Sequence, residues 1–185
     1  MAGTHTKTLI ANYEKMPQKI QDYFQPCLKL MADEEMPWDV VISYMFTKIE
    51  TAQRNTLSVG LRKIHKCEIS LVWKAIDNEA LFRDEFRLFF KKVFGKNISK
   101  ETENLLQVPI EVRNKIMHGY SATTAEKKKA IACILVYCEQ YNLEMKKIAG
   151  FEPFGSLQGV VGRSMPLNKS TTMWMLMGMG FLKKP

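Results

Sequence analysis

Apolar residues recur at three-and-four spacing through most of this chain, and few stretches alternate with the period of two that a half-buried strand needs. A stripe that repeats every 3.6 residues is buried by packing against other helices, so the expected fold class is all-α. Ile42, Met45, Ile49, Ala52, Thr56 and Val59, joined by Leu57, Leu61, Ile64 and Leu71, predict one long helix over residues 38–76, with Gly60 as the point where it would break. Phe82, Phe86, Phe89 and Val93 share one face of a helix over residues 79–94, with Gly95 as its stop, and that stripe reads as core rather than as a base-stacking platform. Ser99 and Thr102 suit a helix start, and Pro109 fits the first turn of a short helix that ends at His118 and Gly119. Residues 124–149 carry Ile131, Ile134, Cys138, Tyr141, Met145 and Ile148 in heptad-like order, with Thr124 as the expected N-cap. Such a seam suits an antiparallel four-helix-type bundle.

Two segments stand apart from this pattern. In the first 35 residues Leu9, Tyr13, Ile20, Phe24, Leu28 and Leu30 are interrupted by Pro17 and Pro26, which predicts broken helix packed on the bundle. Beyond Gly150, Pro153, Gly155, Gly159, Gly162 and Pro166 mark an irregular linker, followed by a Met-rich apolar run over residues 173–177. The expected division is therefore a helical domain over residues 1–150 and a linker with an apolar tail over residues 151–185. That tail has its own bundle, a second copy or a separate protein to pack on.

Charge narrows the partners. The net charge is +8, and the excess is uneven: residues 1–60 hold 6 basic and 7 acidic groups, residues 61–185 hold 21 and 12. Clustered Lys and Arg gain free energy by releasing counterions from phosphates, which favours a nucleic acid partner, although each Lys cluster would equally serve to solvate a helix face. The cysteines Cys27, Cys67, Cys133 and Cys138 form no CxxC pair and no zinc-finger spacing, so they read as reduced thiols, with neither a metal nor any other cofactor implied. Residues 1–13 lack a basic stretch leading into an apolar run, and residues 173–182 are shorter than the roughly 20 apolar residues of a membrane span. A cytoplasmic protein without membrane association is expected. A Gly-rich phosphate loop, an HExxH helix and a GxSxG elbow are all missing. Glu50 and Arg54, one turn apart, read as a helix-surface pair.

The residues that can carry chemistry lie between positions 113 and 120. His5 and His65 have no obvious polar partner in the sequence, whereas His118 closes a helix that also displays Arg113 and Asn114. Positions 114 and 118 are one turn apart and share a face. An imidazole can exchange protons with a 2′-hydroxyl or a leaving oxygen, a guanidinium can hold the charged phosphate, and Asn114 can orient the imidazole or the scissile phosphate. The same residues would also suit a structural role, His118 against the helix dipole and Arg113 in a surface ion pair with Glu111 or a neighbouring helix.

Arg113-Asn114-x-x-x-His118 resembles the signature of the HEPN superfamily of helical RNA-cleaving domains, in which an Arg, usually followed by a polar residue, precedes a His by a few positions. The setting is similar too, since in that family the motif ends the third core helix of a four-helix bundle and a turn leads into the last. Arg113, His118 and Tyr120 also match the Arg-x4-His-x-Tyr of one branch, toxins paired with a nucleotidyltransferase antitoxin, where the Tyr accepts nucleotidyl groups that silence the RNase. The resemblance covers eight residues, and neither the N-terminal segment nor the Met-rich tail has a counterpart in it. It implies a homodimer with two motifs facing one basic cleft, and a metal-independent endoribonuclease of stress response, phage defence or a toxin–antitoxin pair. In that reading Arg113, Asn114 and His118 are catalytic, Tyr120 is a modification site, Lys115, Lys127 and Lys128 contact RNA, and an antitoxin or regulatory protein is a further partner. The alternative is a catalytically silent module of the same kind that binds RNA, a nucleotide or a protein; a purely structural interaction protein that captures its partner through the tail is the third.

Overall fold

The computed structural model describes residues 6–33, 37–79 and 83–181, and among them every regular element is a helix. In chain order these are α1 (Thr6–Glu14), α2 (Gln18–Tyr23), α3 (Gln25–Ala32), α4 (Trp38–Lys63), α5 (Ile69–Asp77), α6 (Arg83–Phe94), α7 (Lys100–Asn104), α8 (Gln107–Met117), α9 (Thr124–Ala149) and α10 (Lys169–Gly178). None of the described helices is long and apolar enough to cross a membrane. The chain forms two compact units, one of Met1–Ile49, Ser99–Glu144 and Phe154–Ser156, the other of Glu50–Ile98, Met145–Pro153 and Leu157–Pro185.

In the first unit the prolines shape the N-terminal segment as expected. Pro17 is the N-cap of α2 and Pro26 stands in the first turn of α3, places where a missing N–H costs little. α1 packs on α3, and Leu9, Tyr13, Ile20, Phe24, Cys27 and Met31 are buried. On α9 the seam residues Ile131, Ile134, Cys138 and Tyr141 are wholly buried. Phe154 gathers an aromatic cluster, stacked on Phe24 at 5.9 Å and edge-on to Tyr23, Tyr137 and Tyr141 at 5.4–6.1 Å. Its backbone is clamped by the buried Asn142 amide, which accepts from the Phe154 N–H at 2.8 Å and donates to its carbonyl at 3.0 Å. Ser99 caps α7 by accepting from the Thr102 N–H, and Glu144 accepts from the Ser99 backbone and hydroxyl.

The second unit corrects the single helix expected over residues 38–76. α4 ends at Lys63 and α5 begins at Ile69, with Lys66 at φ +57° between them. The break comes from Glu68, whose carboxylate caps α5 by accepting from the Ser70 and Leu71 N–H groups at 3.0 and 3.1 Å. Gly60 is instead an interior residue of α4, required because a Cβ there would lie 2.5 Å from Val93 Cγ1 and Phe94 Cζ. Phe86, Phe89 and Val93 are core residues, as the aromatic stripe predicts, while Phe82 lies outside the described residues. His65 does have a polar partner, the Val93 carbonyl at 2.7 Å from Nε2. Arg54 reaches the C-terminal end of α5, bonding the Ile76 carbonyl and Asp77, both at 3.2 Å, rather than serving only its own helix. The Met-rich run forms α10, capped by Asn168 and packed on α5. Thr172 accepts from the Glu68 N–H at 3.1 Å, Met175 meets Cys67, and Phe181 stacks on Phe89 at 4.1 Å. Trp174 remains 74% exposed.

Candidate functional site

α8 is a short helix with one buried face, Pro109 and Val112, and an opposite face that exposes Glu111, Asn114 and Met117. Its end is defined by the backbone. Gly119 adopts φ +74°, a conformation that costs an L-residue energy, and the chain reverses through two bonds, Tyr120 N–H to the Lys115 carbonyl at 2.8 Å and Gly119 N–H to Ile116 at 3.2 Å. His118 is therefore the C-cap, held by its own N–H on the Asn114 carbonyl at 3.0 Å, with an exposed side chain. Asn114 is exposed one turn below it, so the structure brings these two predicted residues to the same end of one helix.

Arg113 faces elsewhere. Five positions separate it from His118, about 140° around a helix at ~3.6 residues per turn. Its half-buried guanidinium lies 5.0 Å from the centroid of the Phe46 ring, on α4. Phe46 is itself buried, so the ring is a fixed platform that holds the guanidinium through its π face. Sequence reasoning offered no signal for Phe46, because the contact is made across 67 positions of chain.

Glu126 is the second residue the sequence reading missed, and here a signal existed. Thr123 Oγ1 accepts from the Glu126 N–H at 3.2 Å, while the Glu126 carboxylate accepts from the Thr123 N–H at 2.7 Å, a reciprocal capping box. The N-cap of α9 is thus Thr123, one residue before the expected Thr124, and the pattern Thr123-x-x-Glu126 encodes it. The same carboxylate accepts from Lys115 Nζ at 2.8 Å, which ties the last turn of α8 to the first turn of α9. These bonds, that of Lys115 foremost and those of Thr123 next, hold the Glu126 carboxyl down at about 2.

Lys115 is engaged with Glu126, Lys127 pairs with Asp39 at the start of α4, and Lys128 lies 5.1 Å above the Trp38 ring. Tyr120 is 70% exposed, with its phenol in solvent. The thiols are unsuited to nucleophilic roles, since burial pushes Cys27 up to about 12 and Cys67 up to about 11. Among the described residues no three His, Cys, Asp or Glu side chains gather as a metal site. No protein-family model matches this chain, and neither a curated protein nor a solved structure matches it.

Proposed function

We infer that the chain is a HEPN-type endoribonuclease, an antiparallel helical bundle acting as a homodimer, with Arg113, Asn114 and His118 as its catalytic residues. The observation that carries this reading is the end of α8, where an exposed imidazole and an exposed amide share one face and a guanidinium is held on an aromatic platform on the flank. In the proposed reaction the 2′-oxygen of RNA attacks the adjacent phosphorus, forming a 2′,3′-cyclic phosphate as the bond to the 5′-oxygen breaks. One imidazole takes the proton of the 2′-hydroxyl, and an imidazolium gives one to the departing oxygen. Two copies of His118 in a dimer would supply both, and Arg113 offsets the charge that builds on the phosphate. Asn114 orients the imidazole or the scissile phosphate.

The exposure of Tyr120, two residues beyond His118, fits covalent silencing of the nuclease by nucleotidylation, as in the toxin branch the motif resembles. The test is cleavage of total RNA and transfer RNA by purified protein in EDTA, compared with His118→Ala. Loss of cleavage with an unchanged circular dichroism spectrum is the expected result. Cleavage by the variant at the parent rate overturns the reading. Salt-dependent RNA binding by the parent protein with no product would instead assign the silent binding module.

A further inference from the structure

The second unit contains a pocket of about 370 Å³ that the proposed nuclease chemistry does not use. Its wall is one face of α4, where Asn55, Val59 and Arg62 follow at helical spacing over the buried Ser58; Trp73 of α5 and the loop through Leu157, Gly159 and Gly162 complete it. The volume is within the range of small-molecule sites, roughly 300–1,000 Å³.

Its polar groups are unspent. Ser58 is 1% exposed, and its hydroxyl has no hydrogen-bond partner, whereas the neighbouring Thr56 hydroxyl donates to the Ala52 carbonyl at 2.7 Å. A buried unpaired hydroxyl is uncommon and costs stability unless something else bonds it. Among the described residues the Asn55 amide, the Arg62 guanidinium and the Trp73 indole N–H likewise have no hydrogen-bond or ion-pair partner. Among the described residues of the lining Arg62 is the only charged one, and none of them is a carboxylate that would neutralise it. Nearby Lys63 is spent on the Ala149 carbonyl and Lys66 on Ser164.

We propose that this pocket binds a small ring-bearing organic anion, its phosphate or carboxylate on Arg62 and its ring against Trp73, with Ser58 and Asn55 bonding its polar atoms. A guanidinium with free donors takes a two-oxygen anion through paired hydrogen bonds, and an indole face packs against a flat ring. The anion's source is phosphate or carboxylate chemistry, which two probes separate.

The experiment is titration calorimetry of the full chain with naphthyl phosphate, with naphthoate, and with naphthol as the uncharged counterpart. Saturable binding of at least one anion, below about 1 mM, is expected, with naphthol weaker by about tenfold or more. Arg62→Met weakens the anion by about tenfold. Ser58→Ala weakens it several-fold while leaving thermal stability unchanged or raised, since the variant removes an unpaired buried hydroxyl. That opposition separates ligand binding from a merely structural role. Failure of both anions to bind at about 10 mM, equal affinity for naphthol, or undiminished affinity in a folded Arg62→Met overturns the proposal.

Discussion

Glu126 serves three donors with one carboxylate, and its protonation therefore has a defined consequence. Its folded pKa, about 2, lies below the ordinary 4.5, so folding favours the ionised form. The contribution is fully present above the unfolded value and is lost as pH falls from about 4.5 toward 2, because the unfolded state there binds the extra proton. Glu126→Gln should lower the urea midpoint at neutral pH, and the gap from the parent protein should close on acidification through that window. A gap independent of pH would remove Glu126 as its origin. Arg113 invites a second test. Phe46→Leu keeps a buried apolar side chain at a cost of about 1 kcal/mol or somewhat more, yet removes the ring beneath the guanidinium. For the proposed nuclease the expected result is a fall in kcat of about tenfold with helicity intact; an unchanged rate would show that Arg113 needs no platform. At this scale the sequence was readable for residue type and spacing, as at Arg113 and His118, but not for partners such as Phe46, which only the tertiary fold brings near.

At the scale of the helix, stops and starts carry the information. Gly119 is fixed by φ +74° rather than by space, since a Cβ there would meet nothing within 4 Å. Gly119→Ala should cost roughly 1–2 kcal/mol, the penalty of the left-handed conformation, measured by chemical denaturation. Gly60 makes the opposite case. Replacing an interior helix glycine by Ala ordinarily gains about 0.5–1 kcal/mol, but here the new methyl would overlap the short, branched Val93 side chain, which is 2% exposed. Overpacking of that kind costs about 1–3 kcal/mol, so Gly60→Ala should destabilise the protein, and a raised melting temperature would refute the close approach. Apolar periodicity located α9 to its last residue and found the α6 stripe. It ran through the gap between α4 and α5 because the stripe resumes in phase after it, and only the Glu68 cap, a polar signal, marks the interruption.

For the molecule as a whole, the +8 charge acts through lysines that differ in how they are engaged. Lys127 already faces Asp39, whereas Lys129 is exposed and makes no ion pair among the described residues. If RNA is the partner, Lys129→Ala should reduce the salt slope of binding by about 1 and Lys127→Ala should leave it nearly unchanged, as read by fluorescence anisotropy across salt concentrations. Equal effects would show that the internal pair opens on binding. The all-helical class was legible from spacing alone; the gathering of residues 142, 154 and 99 around α9 was not, because it rests on polar clamps between distant segments.

The reversal between α8 and α9 is built from the Gly119 backbone and from Lys115, Thr123 and Glu126 at its two shoulders. Among the described residues no side-chain hydrogen bond holds positions 118–122. In the proposed nuclease, architecture and chemistry would thus be carried by different residues here. For that nuclease, His118 and Tyr120-Ser121-Ala122 would form an exchangeable cassette: selection, or a designer, could rewrite what the turn presents to RNA while the shoulders keep its course.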